Sequence, residues 1–158
     1  MNIGLSTAAF YGRWETEEAA EHLSDYGAAC AEAFLQTRGE MTAGFAADVR
    51  KRLNGVPCTS MHPKGTLFEN ELFGRSPRQR TEGWNAFQYA LDAAAELGAA
   101  YYVYHGWHSS AGNKIPFDAQ RNADVVGEMQ LKAAQQGIRI AWENVCLLYT
   151  SPSPRDPK

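Results

Sequence analysis

Short apolar runs alternate along the chain with longer stretches whose apolar residues recur at three- and four-residue intervals. The runs are Ile3–Thr7, Ala29–Leu35, Val56–Met61, Tyr101–Tyr104 and Ile138–Val145, each of strand length and bounded by chain breakers. Between the first two, Thr16, Glu17 and Glu18 open an acidic first turn, and Ala19, Ala20, Leu23 and Tyr26 follow at helical spacing until Gly27. A second helix is expected from about Ala43 to Leu53, stopped by Asn54-Gly55. The third, Gln79–Leu97, carries Trp84, Phe87, Leu91, Ala94 and Ala95 on one stripe and ends at Gly98. Asp118 caps a fourth that runs to about Gln136, before Gly137. The segment Lys64–Arg78 has no regular period and holds Phe68 and Phe73. It reads as a long rim loop of the kind that closes over a site.

Strands separated by helices at this spacing predict an α/β fold with a parallel sheet. The exit of the first strand, Ser6-Thr7-Ala8-Ala9-Phe10, is no glycine-rich phosphate loop, which argues against a dinucleotide fold. The pattern therefore predicts a partial (β/α)8 TIM barrel, its first five β-strands with four helices. After Val145 the pattern breaks. Where a helix is due, the chain has two prolines separated by one serine, and Cys146–Asp156 reads CLLYTSPSPRD. Those residues agree one by one with the translation of a transposase-type sequencing-library adapter. The expectation is a truncated barrel domain over residues 1–145 and a non-native, disordered tail over 146–158, although composition alone would read the tail as an ordinary Pro/Ser segment.

The formal charge of −3, from 15 basic and 18 acidic residues, leaves no basic face of the kind that neutralises phosphates, so nucleic acid is not expected as a partner. No apolar run approaches the roughly 18 residues of a membrane-spanning helix, and the N-terminus has no leader-like pattern. The three cysteines, Cys30, Cys58 and Cys146, are too few and too irregular for a disulfide framework, and cytoplasmic location is the default expectation.

Three strands end in side chains that carry chemistry: Met61-His62-Pro63, Tyr104-His105-Gly106 and Trp142-Glu143-Asn144. In a parallel sheet flanked by helices the C-terminal strand ends are where ligands bind. Two imidazoles and a carboxylate at one rim make a metal or substrate site, with donors suited to magnesium, manganese, cobalt or zinc. Glu32 is a lone acid inside the apolar second strand and needs a partner; it contacts substrate or bridges to the bottom of the barrel. Trp14, Phe68 and Trp107 offer apolar faces near the rim. His108 reads as a solvated loop residue, His22 as surface, Trp84 and Phe87 as packing between helix and sheet, and Cys30 and Cys58 as inert core thiols.

The order and spacing of Ile3-Gly4-Leu5-Ser6-Thr7, Glu32, His62-Pro63, His105-Gly106 and Trp142-Glu143-Asn144 resemble the xylose isomerase-like TIM-barrel superfamily, over residues 1–145. That superfamily holds sugar isomerases and epimerases, inosose dehydratases and metal-dependent apurinic-site endonucleases. The resemblance implies that Glu143 is a ligand of a divalent metal and a catalytic residue. It implies that His62 and His105 ligate metal, as in the endonuclease branch, or contact substrate, as is commoner in the sugar branch. The function implied is a divalent-metal-dependent sugar or sugar-phosphate isomerase or epimerase acting on a small-molecule sugar, with Glu143 and His105 catalytic and His62, Glu32, Trp107 and Trp14 at the substrate. An abasic-site endonuclease of the same fold is the alternative; its evidence is the Arg-rich stretch from Arg75 to Arg80, with Lys64 and Lys114 as scattered cations. A third alternative is an inactive fragment, since further metal ligands in that superfamily come from later strands.

Overall fold

The computed structural model describes residues 3–64, 68–106 and 118–143. Trp107, His108, Lys114, Asn144, Cys146 and the expected tail lie outside them. Five strands, β1 (Gly4–Ser6), β2 (Cys30–Leu35), β3 (Cys58–Pro63), β4 (Tyr101–Tyr104) and β5 (Arg139–Trp142), alternate with α1 (Thr16–His22), α2 (Ala43–Arg52), α3 (Pro77–Leu97) and α4 (Ala119–Gln135). The strands form one sheet in the order 1-2-3-4-5, every adjacent pair parallel. This is the partial TIM barrel expected from the pattern. Among the described residues no helix is long and apolar enough to cross a membrane.

Alternation along each strand divides the sheet into two faces. Ala31, Ala33 and Leu35 of β2, Met61 of β3 and Tyr102 and Tyr104 of β4 are buried, and together with Ala46 and Val49 of α2 and Phe87, Ala90, Leu91 and Ala94 of α3 they form the core. The other face carries Glu32 and Phe34 of β2 and Ser60 and His62 of β3, all half-buried. The register shifts by one residue between Ala31 and Glu32, so Ala31 pairs with Cys58 but Glu32 pairs with Ser60. This irregularity puts an extra residue, Thr59, into β3 and sets Glu32, Ser60 and His62 on one face.

Local chemistry fixes the helix ends. Asp118 accepts from the Arg121 amide at 3.0 Å and Thr42 from the Phe45 amide at 3.2 Å, satisfying amides with no partner inside the helix. Gly98 closes α3 in the left-handed conformation, φ 76°, which glycine adopts without steric cost. α1 is shorter than its apolar pattern suggests, because the chain leaves helical geometry after Leu23.

The expected rim loop is only partly a loop. Glu69–Phe73 form a 3₁₀ turn, and Phe68, Leu72 and Phe73 are core residues, 1%, 0% and 1% exposed. Phe68 therefore offers no face to a sugar; hydrophobic burial pulls the segment against α3. The seam is close: a Cβ on Gly83 would lie 3.0 Å from the Leu72 nitrogen and 3.1 Å from the Glu71 carbonyl carbon. Gly83→Ala should lower the unfolding free energy by about 1–3 kcal/mol through overpacking, although alanine is the better helix former by about 1 kcal/mol. Gly127→Ala in α4, where a Cβ meets nothing within 4 Å, should instead raise it by about 0.5–1 kcal/mol. Urea denaturation of the two variants checks the opposite signs.

Candidate metal centre

β3, β4 and β5 each deliver one donor at or just beyond the C-terminal end. The Nε2 atoms of His62 and His105 lie 2.8 Å apart, and Glu143 Oε2 lies 3.3 Å from the first and 3.5 Å from the second. The three residues expected to meet at one rim do so. Both imidazoles are nearly enclosed, 14% exposed, while Glu143 keeps 45% of its side-chain surface open.

Each imidazole is backed by a carboxylate. His62 Nδ1 is 3.4 Å from Glu32 Oε1, and His105 Nδ1 is 3.2 Å from Glu69 Oε2. An ionised carboxylate only accepts, so the protons belong on the two Nδ1 atoms. Both Nε2 lone pairs then face each other across 2.8 Å, an arrangement that repels unless a proton or a metal ion is shared between them. Donors about 2.1 Å from a divalent ion lie about 3.0 Å apart at an octahedral edge and about 3.4 Å at a tetrahedral one. The observed edges of 2.8, 3.3 and 3.5 Å match that scale. Two imidazoles and a carboxylate therefore fit a divalent ion, with their second nitrogens braced as metal-binding histidines usually are.

Glu32 accepts from Ser6 Oγ at 2.8 Å and Ser60 Oγ at 3.2 Å as well as facing His62. The hydrogen bond with His62 is the largest cause holding its carboxyl below the usual range, against the opposing effect of burial, with Ser6 and Ser60 helping. Glu69 is the residue that the sequence reading passed over. It is fully buried in the 3₁₀ turn, and burial raises its carboxyl while the His105 bond opposes that rise. The same bond raises the His105 imidazole above its ordinary value, against desolvation, with the charges of Glu69, Glu143 and Glu32 adding to it. Its sequence signal was an acid inside an apolar cluster, Phe68-Glu69-Asn70-Glu71-Leu72-Phe73.

An aromatic row continues from the cluster toward β1. Phe34 meets the His62 ring edge-on at 5.1 Å, and Tyr11 meets Phe34 edge-on at 6.0 Å. The exit of β2 is held by Glu40, whose carboxylate accepts from Thr16 Oγ1, the Gln36 amide and Thr37 Oγ1 at 2.8–2.9 Å. Trp14 packs elsewhere, 4.8 Å from Phe10, stacked on His22 at 4.3 Å and under the Arg13 guanidinium; these described contacts belong to α1 and the segment before it, not to the cluster. His22 is 43% exposed and pairs with Asp25, as a surface residue should. The Cys58 thiol is pushed up to about 11 by burial, in keeping with an inert core thiol. A cavity of about 380 Å³ borders His105 between β4, β5 and α4, lined by Tyr104, Gly106, Asn122, Val126 and Trp142, a volume within the range of small-molecule sites. A second cavity, about 290 Å³ between the start of α2 and α3, contains none of the cluster residues.

No family model matches the chain, and no curated protein sequence matches it. Solved structures do. D-psicose 3-epimerase from Clostridium cellulolyticum H10, crystallised with D-tagatose, is 16% identical with a TM-score of 0.68, covering 89% of this chain and 51% of its own. The 3-keto-D-glucoside 4-epimerase of E. coli is 17% identical with a TM-score of 0.63, covering 90% and 55%. A xylose isomerase domain protein from Planctomyces limnophilus is 16% identical with a TM-score of 0.60, covering 89% and 52%. The chain thus spans about half the length of the solved structures it matches, and over that half it shares their fold.

Proposed function

We propose that the chain is the metal-holding part of a divalent-metal-dependent sugar or sugar-phosphate isomerase or epimerase, with residues 1–145 as the barrel portion and 146–158 outside the fold. The observation that carries this is the meeting of His62 Nε2, His105 Nε2 and Glu143 Oε2 within 2.8–3.5 Å at the C-terminal rim of a parallel sheet. Those three residues would hold the ion, of manganese, magnesium, cobalt or zinc type. When bound, such an ion supplies Lewis-acid polarisation of a carbonyl and its neighbouring hydroxyl.

The remaining work belongs to the chain. Glu32 and Glu69 keep the imidazole protons on Nδ1 and so keep both Nε2 lone pairs available. Glu143 uses Oε2 in the cluster, and its half-open side chain leaves Oε1 to take and return the proton beside the carbonyl. His105 holds the ion through Nε2, while the row of Phe34 and Tyr11 shields one side of the substrate from water. Trp14 and Trp107 remain candidate substrate contacts. A cytoplasmic setting belongs to the same proposal, supported by the free thiols Cys30 and Cys58.

One observation favours the endonuclease alternative: both imidazoles, not Glu143 alone, reach the cluster, as the resemblance implies for that branch. Against it, Arg38 is paired with Glu71, and Arg80 is bound to the Gly74 and Arg75 carbonyls, so these two cations are already engaged. In a complete barrel carrying these five strand-helix units, Glu143→Gln should lower the turnover of ketose epimerisation at least about a hundredfold. Epimerisation at the wild-type rate would remove Glu143 from the mechanism, and cleavage of an abasic-site duplex without epimerisation would favour the alternative.

Metal affinity of the 158-residue chain itself, followed by manganese or zinc titration calorimetry, tests the ligand set independently of activity. One ion per chain is expected, and no binding would overturn the proposal. Glu69→Gln should weaken binding by about ten- to a hundredfold at pH 8. Because Glu69 raises the His105 imidazole, proton competition with the metal sets in at a higher pH in wild type than at an ordinary histidine. In the Gln variant the pH below which affinity begins to fall should move lower, even as affinity at high pH falls.

A further inference from the structure

We propose that Lys64, with Tyr11, forms an anion-binding end to the substrate pocket, so that the substrate is a sugar phosphate rather than a free sugar. This rests on the isomerase/epimerase reading above and specifies its substrate class.

Lys64 stands two residues after His62. Its amide donates to the Leu35 carbonyl at 2.8 Å, which continues the β2–β3 ladder by one step. It therefore shares the face of His62, roughly 7 Å further toward the mouth. The ammonium donates to the Tyr11 hydroxyl at 3.1 Å and lies 5.3 Å from the centre of that ring. Through Tyr11, Phe34 and His62 the rings form an unbroken row from this cation to the candidate metal centre.

The charge of Lys64 is unanswered. Among the described residues Lys64 has no carboxylate partner and is paired only with the phenol oxygen and ring of Tyr11. It is also half-buried, which makes a neutralising anion more favourable than at an open surface. The Tyr11 oxygen accepts from Nζ, so its own O–H is free to donate outward, and the ammonium has two further N–H groups. An ammonium and a hydroxyl side by side suit a phosphate group, whose oxygens are strong acceptors. The offset along β3 suits a substrate whose hydroxycarbonyl end lies at His62, His105 and Glu143 and whose phosphate lies at Lys64.

The test is titration of the full 158-residue chain with D-fructose 6-phosphate, D-fructose and inorganic phosphate, for wild type, Lys64→Met, Lys64→Arg and Tyr11→Phe. Wild type should bind the sugar phosphate at least about tenfold more tightly than the free sugar. Lys64→Met should erase that preference, Lys64→Arg should keep it, and Tyr11→Phe should reduce it. Manganese affinity of Lys64→Met should match wild type, and its melting temperature should stay within about 2 °C, which separates lost recognition from lost folding. Equal binding of the two sugars by wild type, an undiminished preference in Lys64→Met, or no detectable binding of either sugar overturns the proposal. Inorganic phosphate binding with equal strength to wild type and Lys64→Met also overturns it. A wild type that fails to bind manganese but keeps the Lys64-dependent preference defeats the metal reading and leaves this one standing.

Discussion

Two imidazole lone pairs directed at one point, with a carboxylate completing the triangle, are the constraint on which the rest of this structure turns. Bare lone pairs at 2.8 Å repel, and imidazoles left to themselves would rotate apart or exchange protons. They are held by Glu32 behind one and Glu69 behind the other. The site is thus a five-residue assembly in which the outer carboxylates decide which nitrogen carries the proton.

That assembly works against packing. Glu69 is fully enclosed, and its Oε1 has no hydrogen-bond partner among the described residues, as is true of the Tyr102 and Tyr104 hydroxyls. A buried polar atom without a partner costs about 1–3 kcal/mol. Burial, and to a lesser extent the Glu69 charge, raises both phenols, so they stay neutral. Phe68, Leu72 and Phe73 supply the opposing stabilisation by carrying the turn into the core. Hydrophobic burial on either side thereby positions a carboxylate that would otherwise stay in water.

The architecture was legible from periodicity, since five apolar runs separated by amphipathic stretches leave few topologies other than a parallel sheet with helical crossovers. The convergence of His62, His105 and Glu143 was legible because strand ends in such a sheet share one rim. Glu69 was not, because it lies in a segment with no period, and its burial depends on how Gly83 lets α3 approach. Phe68 misled for the same reason: an aromatic in an aperiodic segment has no face that the sequence alone can assign. Lys64 was visible only as a stray charge until the ladder bond to Leu35 showed it to be a continuation of β3.

The shift of pairing between Ala31 and Glu32 bears on how this chain can diverge. Surface connections between strand and helix absorb insertions and deletions with little penalty. The stretch around Thr59 has no such tolerance, because removing one residue would rotate the remainder of β3 by half a pleat. Met61 would then enter the polar lumen and His62 the oily layer beneath α3, exchanging chemistry and core in a single step. Relatives that keep this centre must therefore conserve the count of residues here even where they conserve none of the identities.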